Sequence, residues 1–147
     1  MTTTATVLSA TDRLTETILS FPEGLLGFEQ YRRYRLVSRP EEAPFLWLVS
    51  EPDDSSASAA PAFVVVPADR LPLRYEPVLS ATDCAALQLT SPADARVLLI
   101  VTVRDAGSLT INLKGPIVCN IHTGRAKQIV PVNAAEFSTQ QPLPIPA

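Results

Sequence analysis

The chain has 147 residues, 46% of them hydrophobic, so one domain can bury an adequate core without a disulfide or a metal ion. Its formal net charge of −3 disfavours direct binding of nucleic acid, because nucleic-acid binders usually present a basic face. No apolar window is long enough to span a bilayer, and the N-terminus lacks the basic and apolar regions of a signal peptide. The two cysteines lie far apart in the sequence, which is typical of reduced thiols, so we expect a cytoplasmic protein.

The distribution of prolines predicts a mainly β protein. Fourteen prolines cut the chain into pieces that are mostly too short for long helices. Residues 28–34 predict one helical turn, a serine cap at Ser80 predicts a short helix through Leu87, and Ser91-Pro92 predicts another single turn. Runs rich in Thr, Val, Leu and Ile predict strands at 6–10 and 14–21, paired as a hairpin, and at 34–38, 44–50, 62–66 and 73–79.

The stretch 96–132 is predicted to be the centre of the domain. The run 97–103 is almost wholly apolar and rich in β-branched residues, which is typical of a strand buried on both faces. Apolar and polar residues alternate over 109–113, and 117–121 and 125–132 predict two further strands around a tight turn. We therefore expect a β-meander of four strands here.

These elements together predict the fold class. We expect a mainly β protein, a small β-barrel-like single domain of antiparallel strands with one or two short helices. The domain spans 1–147, and we expect 1–5 and 140–147 to be flexible because chain ends with many polar residues or prolines seldom pack.

The run 45–49 and the loop after it have opposite character. The run has no polar side, so we expect both of its faces to be covered and Trp47 to lie in the core. Residues 51–61 are acidic or small and include no basic residue, which predicts a flexible surface loop.

The residues that could perform catalysis do not converge in the sequence. The single histidine, His122, lies three residues after Cys119, so on a strand their side chains point to opposite faces. Cys119 shares an apolar face with Ile117 and no further soft ligand is near, so we expect neither a metal site nor a nucleophile pair. Gly24 and Gly27 are not followed by the Lys-Ser or Lys-Thr pair of a phosphate loop. The residues predict a non-enzymatic domain with no cofactor and no small-molecule substrate, acting through its surface.

Two motifs resemble those of a known family. The signature of the FliW family of flagellar assembly factors is similar to the run Phe21-Pro22-Glu23-Gly24-Leu25-Leu26-Gly27-Phe28-Glu29, although the family usually has proline where this chain has Leu26. A second family motif is similar to the run Thr110-x-Asn112-Leu113-x-Gly115-Pro116-Ile117-Val118-x-Asn120. Shorter matches at 45–48, 62–66, 91–94, 97–103, Gln128 and 137–139 fall in the same order along the chain.

This resemblance implies a small β-barrel-like fold and two protein partners. Members of the family bind flagellin and, alternatively, the RNA-binding translational repressor CsrA, and capture of CsrA releases flagellin messenger RNA for translation. Candidate partner-binding residues are Glu23, Phe28, Glu29, Asn112 and Asn120, with backbone capping as an equal alternative for the two asparagines. The other motif residues are expected to have a structural or binding role: Phe21, Pro22, Gly24, Gly27, Leu113, Gly115, Pro116 and Ile117.

Two other functions stay open from the residues alone. A small-molecule-binding β-barrel requires a pocket lined by convergent polar groups. An OB-type module for single-stranded nucleic acid requires exposed aromatic residues along a basic groove. The candidates for such a groove are Arg32, Arg33, Arg35 and Arg39, beside Tyr31 and Tyr34.

Overall fold

The structure is a computed structural model, and it describes residues 15–51 and 60–143. Within them the protein is mainly β, with one short α-helix, α1, at Ala81–Ala86. Single 3-10 turns lie at Pro40–Glu42, Ala68–Arg70, Pro92–Asp94, Asp105–Gly107 and Ala134–Glu136. The nine strands are β1 Thr15–Ser20, β2 Arg33–Ser38, β3 Leu46–Ser50, β4 Ala62–Pro67, β5 Ala95–Val103, β6 Leu109–Ile111, β7 Ile117–Asn120, β8 Ala126–Gln128 and β9 Gln141–Pro142.

All nine strands belong to one antiparallel sheet, and β5 is its longest strand. The main order is β1-β2-β3-β4-β5-β6-β9, and β7 pairs with β5 and β8. Val101 is paired with both Val64 and Ile111, and Leu98 is paired with both Pro67 and Ile117. Strands β6 and β7 therefore share the edge of β5 that faces away from β4.

This pairing corrects the predicted meander. Strand β7 does not follow β6 across the sheet but returns to β5, pairing with Ala95 through Leu98. The reason is length, because β5 has nine residues and its last three are enough for the short strand β6. The turn at Lys114-Gly115-Pro116 moves the chain from one half of the β5 edge to the other.

The predicted barrel-like closure is not confirmed, because the sheet is open between β1 and β8. Among the described residues these two strands are joined by one bridge, between Ser20 and Arg125. The Ser20 N–H donates to the Gly124 carbonyl at 2.8 Å at this point. The ladder of a closed barrel would require continuous pairing here.

Three apolar clusters hold the sheet in place. The largest lies on one side of the sheet and centres on fully buried Phe21, Tyr34, Leu48, Leu98 and Ile117. A second lies on the opposite side of β4, β5 and β6, where side chains of 71–75 and 137–143 cover Val66, Leu99 and Ile111. The third packs α1 on the sheet through Leu87, Val118 and Ile129.

The predicted helix and the turn after it are confirmed at their caps. Ser80 Oγ accepts a hydrogen bond from the Asp83 N–H at 3.0 Å, and α1 follows directly. Ser91 Oγ likewise accepts from the Ala93 N–H at 3.2 Å ahead of the Pro92–Asp94 turn. The Asp83 carboxylate contacts Lys127.

Several predicted local structures are wrong. Residues 73–79 form no strand, since this segment covers apolar side chains of the sheet rather than joining its ladder. Residues 28–34 form no helical turn, because β2 already begins at Arg33. Residues 140–143, assigned to a flexible end, are held by pairing of β9 with β6 and by burial of Leu143. The predicted strand 6–10, the flexible segment 1–5 and most of the loop 51–61 lie outside the described residues.

Candidate functional site

The first motif folds into one compact turn, here called the motif turn, residues 21–29. It begins where the Phe21 N–H donates to the Arg32 carbonyl at 2.8 Å. The Gly24 N–H donates to the Phe21 carbonyl at 2.9 Å, and the Phe28 N–H donates to the Leu25 carbonyl at 2.8 Å. Because these bonds close the backbone on itself, the side chains of the turn are held in fixed directions.

Two glycines make this backbone possible. Gly24 has φ +67°, and a Cβ at this position would lie 2.5 Å from the Glu29 Cα. Gly27 has φ +86° but open space around it. Both angles lie in the left-handed region that favours glycine, and at Gly24 the close approach excludes every other residue as well.

Aromatic contacts anchor the motif turn to the sheet. Phe21 is fully buried and packs edge-on against Tyr34, with ring centroids 5.1 Å apart. Phe28 packs edge-on against Phe63 at 5.4 Å but keeps 37% of its surface exposed. Phe28 therefore packs against the sheet and also exposes part of its ring. Leu26, two residues earlier, is 64% exposed.

Gln128 joins the two motifs, a role that the sequence did not reveal. Its Oε1 accepts from the Leu26 N–H at 3.0 Å, and its Nε2 donates to the Gly115 carbonyl at 3.1 Å. A Cβ on Gly115 would lie 2.9 Å from that Nε2, so glycine leaves room for the amide. The first bond depends on a backbone N–H at Leu26, so a proline at this position would remove it.

The remaining residues of the second motif are structural. Ile117 is fully buried and Leu113 is nearly so. The Pro116 carbonyl accepts from the Ile129 N–H at 2.9 Å, and the Leu113 N–H donates to the Ser138 carbonyl at 2.9 Å. These residues of the second motif are therefore buried and held by the segments around Ile129 and Ser138.

The charged groups of the motif turn are Glu23 and Glu29. Glu29 Oε2 accepts from the Gly27 N–H at 3.1 Å, and this hydrogen bond, together with one to its own backbone, lowers the pKa of the exposed carboxylate. Glu23 is exposed and lies 3.6 Å from the Lys127 ammonium. Both side chains are exposed, and the lowered pKa keeps Glu29 ionised at neutral pH.

Lys127 connects the motif turn to α1. Its Nζ contacts Asp83 Oδ1 at 2.6 Å, and both side chains are largely buried. The hydrogen bond to Asp83 raises the pKa of Lys127, with Glu23 adding to the effect. A shallow cavity of about 260 Å³ lies between the turn and α1, bordered by Pro22, Glu23 and Lys127. No local pattern indicates this pair, since 44 residues separate its members.

The two asparagines act on the backbone. Asn120 is only 3% exposed, and its Nδ2 donates to the carbonyls of Leu87 at 2.9 Å and Gln88 at 3.2 Å, at the end of α1. Its Oδ1 accepts from the His122 N–H at 2.8 Å. Asn112 is half-buried and its Oδ1 accepts from the Lys114 N–H at 3.0 Å. Of the two alternatives, backbone capping describes both, and Asn120 is not accessible to a partner.

Comparison with known proteins identifies the family. The model of the FliW protein family matches residues 2–143. The flagellar assembly factor FliW of Leptospira biflexa is 36% identical over 115 residues, covering 77% of this chain and 72% of that protein. The protein belongs to the FliW family of flagellar assembly factors. The FliW of Geotalea uraniireducens is 37% identical over 128 residues, covering 85% of this chain and 73% of the relative.

A solved structure supports the same assignment for the fold. The crystal structure of a flagellar assembly factor FliW superposes with a TM-score of 0.70 at 27% identity, covering 87% of this chain and 86% of that one. The FliW family assignment made from the two motifs is therefore confirmed.

The residues considered for chemistry in this FliW chain lie apart. Cys119 is buried, and burial raises the pKa of its thiol to about 12. His122 is exposed and its Nε2 lies 2.9 Å from Asp94 Oδ1. No group of three or more His, Cys, Asp or Glu side chains suited to a metal occurs among the described residues, and none of their helices could span a membrane.

Two of the four arginines proposed for an OB-type groove, Arg33 and Arg35, are paired with glutamates. Arg33 Nε contacts Glu51 at 3.1 Å, and Arg35 contacts both Glu51 at 2.8 Å and Glu16 at 3.2 Å. Tyr34 is fully buried, where desolvation raises its pKa to about 12, so it offers no stacking platform. The geometry does not favour the nucleic-acid alternative.

The prediction that Trp47 lies in the core is wrong. The side chain is 37% exposed and its Nε1 donates to Glu42 Oε1 at 3.2 Å. The two faces of β3 differ, since Leu46 and Leu48 point into the main cluster and Trp47 points away from it. Because the residues on both faces of β3 are apolar, the sequence does not show which of them point into the core.

Proposed function

We propose that the protein is a cytoplasmic, non-enzymatic binding factor that holds flagellin and, alternatively, the translational repressor CsrA. Capture of CsrA relieves repression of flagellin messenger RNA, and flagellin reverses this by occupying the factor. Membership of the FliW family supports a role in flagellar assembly. The partners themselves come from the resemblance described above, and the surface of the motif turn is where we place their binding.

The observation that carries this proposal is the composition of the exposed motif turn. Leu26 and Phe28 expose apolar surface, and the same turn carries the exposed carboxylates of Glu23 and Glu29. Aromatic side chains on a fixed backbone bind with little loss of entropy. Carboxylates on the same turn favour a basic partner and steer its approach, which suits a protein whose own surface binds RNA phosphates.

The mechanism requires that the two complexes exclude each other. Flagellin then lowers the affinity for CsrA by the same factor by which CsrA lowers the affinity for flagellin. When export removes flagellin, the freed motif turn captures CsrA and translation resumes. Repulsion between the acidic factor and RNA phosphates adds to the release, because the net charge is −3.

The experiment is calorimetric titration of CsrA into a charge variant of the motif turn. The variant combines Glu23→Lys with Glu29→Gln, since glutamine keeps an oxygen for the Gly27 N–H while removing the charge. We expect CsrA affinity to fall by about tenfold or more, because charged groups at an interface contribute on this scale. The matched control is Glu76→Lys with Glu136→Gln, two exposed glutamates elsewhere with the same change in net charge.

Equal affinity of the variant and the control would remove the motif turn from the CsrA interface. Salt gives a second readout, since screening weakens exposed charge interactions. We expect the protein to release RNA from CsrA less efficiently at high salt. Release that is independent of salt would contradict the electrostatic part of the mechanism.

A further inference from the structure

A second exposed surface, here called the Trp47 groove, lies on the outer side of the sheet. Its floor is apolar and its volume is about 410 Å³. The lining side chains of the floor are Phe45, Trp47, Val64, Val101, Val103 and Leu109, and Glu41 and Glu42 form the rim. None of these residues belongs to the motif turn.

Strand register explains why the floor is continuous. Trp47 is paired with Val64, Val64 with Val101, and Val103 with Leu109. Residues directly opposite each other in antiparallel strands project from the same face of a sheet. Four neighbouring strands therefore build one apolar strip.

The protein covers only one end of this face. Val66 and Leu99 are completely buried beneath the side chains of 71–75 and Phe137. Val103, on the same face of the same strand as Leu99, is 68% exposed. Val101 between them is buried, and Trp47 keeps 37% of its surface exposed, so the apolar surface that the described residues leave open to another molecule lies at Trp47 and Val103.

The rim determines the charge of the occupant. Glu41 is exposed, and Glu42 fixes the edge of the Trp47 indole by accepting its N–H. Within 15–51 and 60–143, no lysine or arginine lines the groove. An occupant must match apolar surface in the centre and two carboxylates at one side, which favours lysine or arginine next to apolar side chains.

The position of the groove determines the secondary structure of the occupant. The groove lies on a face of the sheet, where the strands already use their backbone groups for pairing. A bound segment has no strand edge there to pair with, so the backbone groups that it buries against the floor must be satisfied within the segment. An α-helix meets this requirement and is the element that commonly packs on a sheet face.

We propose that the Trp47 groove is a second docking surface, which receives an amphipathic basic helix of a partner protein. Apolar side chains of the helix lie over Trp47 and Val103, and a lysine or arginine at its edge pairs with Glu41. This surface is separate from the motif turn, so the inference does not depend on the function proposed above.

Trp47 is the only tryptophan of the chain and reports directly on the groove. The probe is a synthetic amphipathic peptide of about 18 residues made of leucine, alanine and lysine, long enough to form a helix when bound. Titration of this peptide into the full chain should move the Trp47 emission to shorter wavelength and saturate. A peptide with glutamate in place of every lysine should give no such shift.

Two aspartate variants, at residues of similar exposure, test whether the peptide binds in the groove. Val103→Asp places a charge in the groove, whereas Val132→Asp places one at a residue that is 67% exposed outside the groove. We expect Val103→Asp to weaken peptide binding at least about tenfold by removing apolar contact, and Val132→Asp to leave it unchanged. Glu41→Lys should weaken binding by about fivefold.

Three results would overturn the proposal. The first is no emission shift, and the second is an equal response to the glutamate peptide or in the Val103→Asp variant. The third is an emission shift that depends on protein concentration alone, with a dimer in sedimentation that Val103→Asp abolishes. In that case a second copy of the chain would be the occupant instead of a basic helix.

Discussion

The motif turn and the Trp47 groove are both exposed, yet opposite physical features create them. The motif turn is defined by its backbone, with two positive φ angles and hydrogen bonds that close it on itself. The groove is defined by what surrounds it, because an apolar face continues beyond the segments that cover it. A turn such as the motif turn can be recognised in a sequence by the spacing of its glycines and prolines. An exposed apolar groove cannot, because the tertiary fold decides which apolar side chains are covered.

This difference leads to opposite expectations for substitution. Changes in the motif turn should affect stability as well as binding, because the turn is also a packing element. Changes at Val103, the most exposed side chain of the groove, should affect binding while leaving stability nearly unchanged.

The largest expected effect is from Gly24→Ala. The added Cβ would meet the Glu29 Cα at 2.5 Å on a backbone with φ +67°. We expect the free energy of unfolding in urea to fall by about 2–4 kcal/mol, combining overpacking and backbone strain. Gly27→Ala is the matched control, since its Cβ would enter open space and only the strain of about 1 kcal/mol applies. Equal losses would show that the close approach at Gly24 is not what requires glycine.

A smaller effect is expected from Lys127→Met. The variant keeps most of the side-chain volume but leaves the largely buried Asp83 carboxylate without its 2.6 Å partner. We expect a loss of about 1–3 kcal/mol in urea unfolding at neutral pH. Combination with Asp83→Asn should recover part of this loss, because the uncompensated charge is then removed. An additive double variant would indicate that the two residues do not interact.

Gln128→Leu should remove the link between the motif turn and the second motif. It removes the hydrogen bonds to the Leu26 N–H and the Gly115 carbonyl without removing bulk. We expect a loss of about 1–2 kcal/mol, and faster amide exchange at Leu26 than in the parent chain. Unchanged exchange at Leu26 would contradict the bridging role of Gln128.

Unfolding at low pH tests the contribution of Asp94 to stability. Hydrogen bonds from Thr90 and His122 hold the pKa of Asp94 below its ordinary value of 3.8. A group whose pKa is lowered by folding adds stability above its unfolded pKa and loses it as the pH falls through the folded value. The stability difference between the parent chain and Asp94→Asn should therefore be constant near neutral pH and shrink below about pH 4. A difference that does not change across this range would exclude this linkage.

The smallest expected effect on stability is in the groove. Val103→Lys changes an exposed side chain, so we expect a change within about 0.5 kcal/mol in urea unfolding. A large loss of stability would mean that Val103 is a packing residue of the fold and would remove the contrast between the two regions.

Local patterns in the sequence predicted much of the fold. The strands at 34–38, 44–50, 62–66 and 97–103 and the Ser80 cap are confirmed because alternation, β-branching and capping act over a few residues. The return of β7 to β5 and the open edge at β1 could not be predicted, since both depend on which distant strands meet.

Only part of the candidate site could be predicted from the sequence. Gly24 and Gly27 identify the motif turn because only their backbone angles produce it. Lys127, Asp83 and Gln128 join it from distant parts of the chain, which no local pattern shows. Asn120 was open to two interpretations because a polar residue on a strand can face solvent or cap a helix, and only the position of α1 decides between them.

The proposed partner switch is tested most directly by titrating CsrA into the chain after saturation with flagellin, followed by calorimetry. The account predicts that saturating flagellin abolishes the heat of CsrA binding, and that CsrA prevents flagellin binding to the same degree. Binding of CsrA with unchanged affinity to the flagellin-loaded chain, giving a complex of all three proteins, would contradict it.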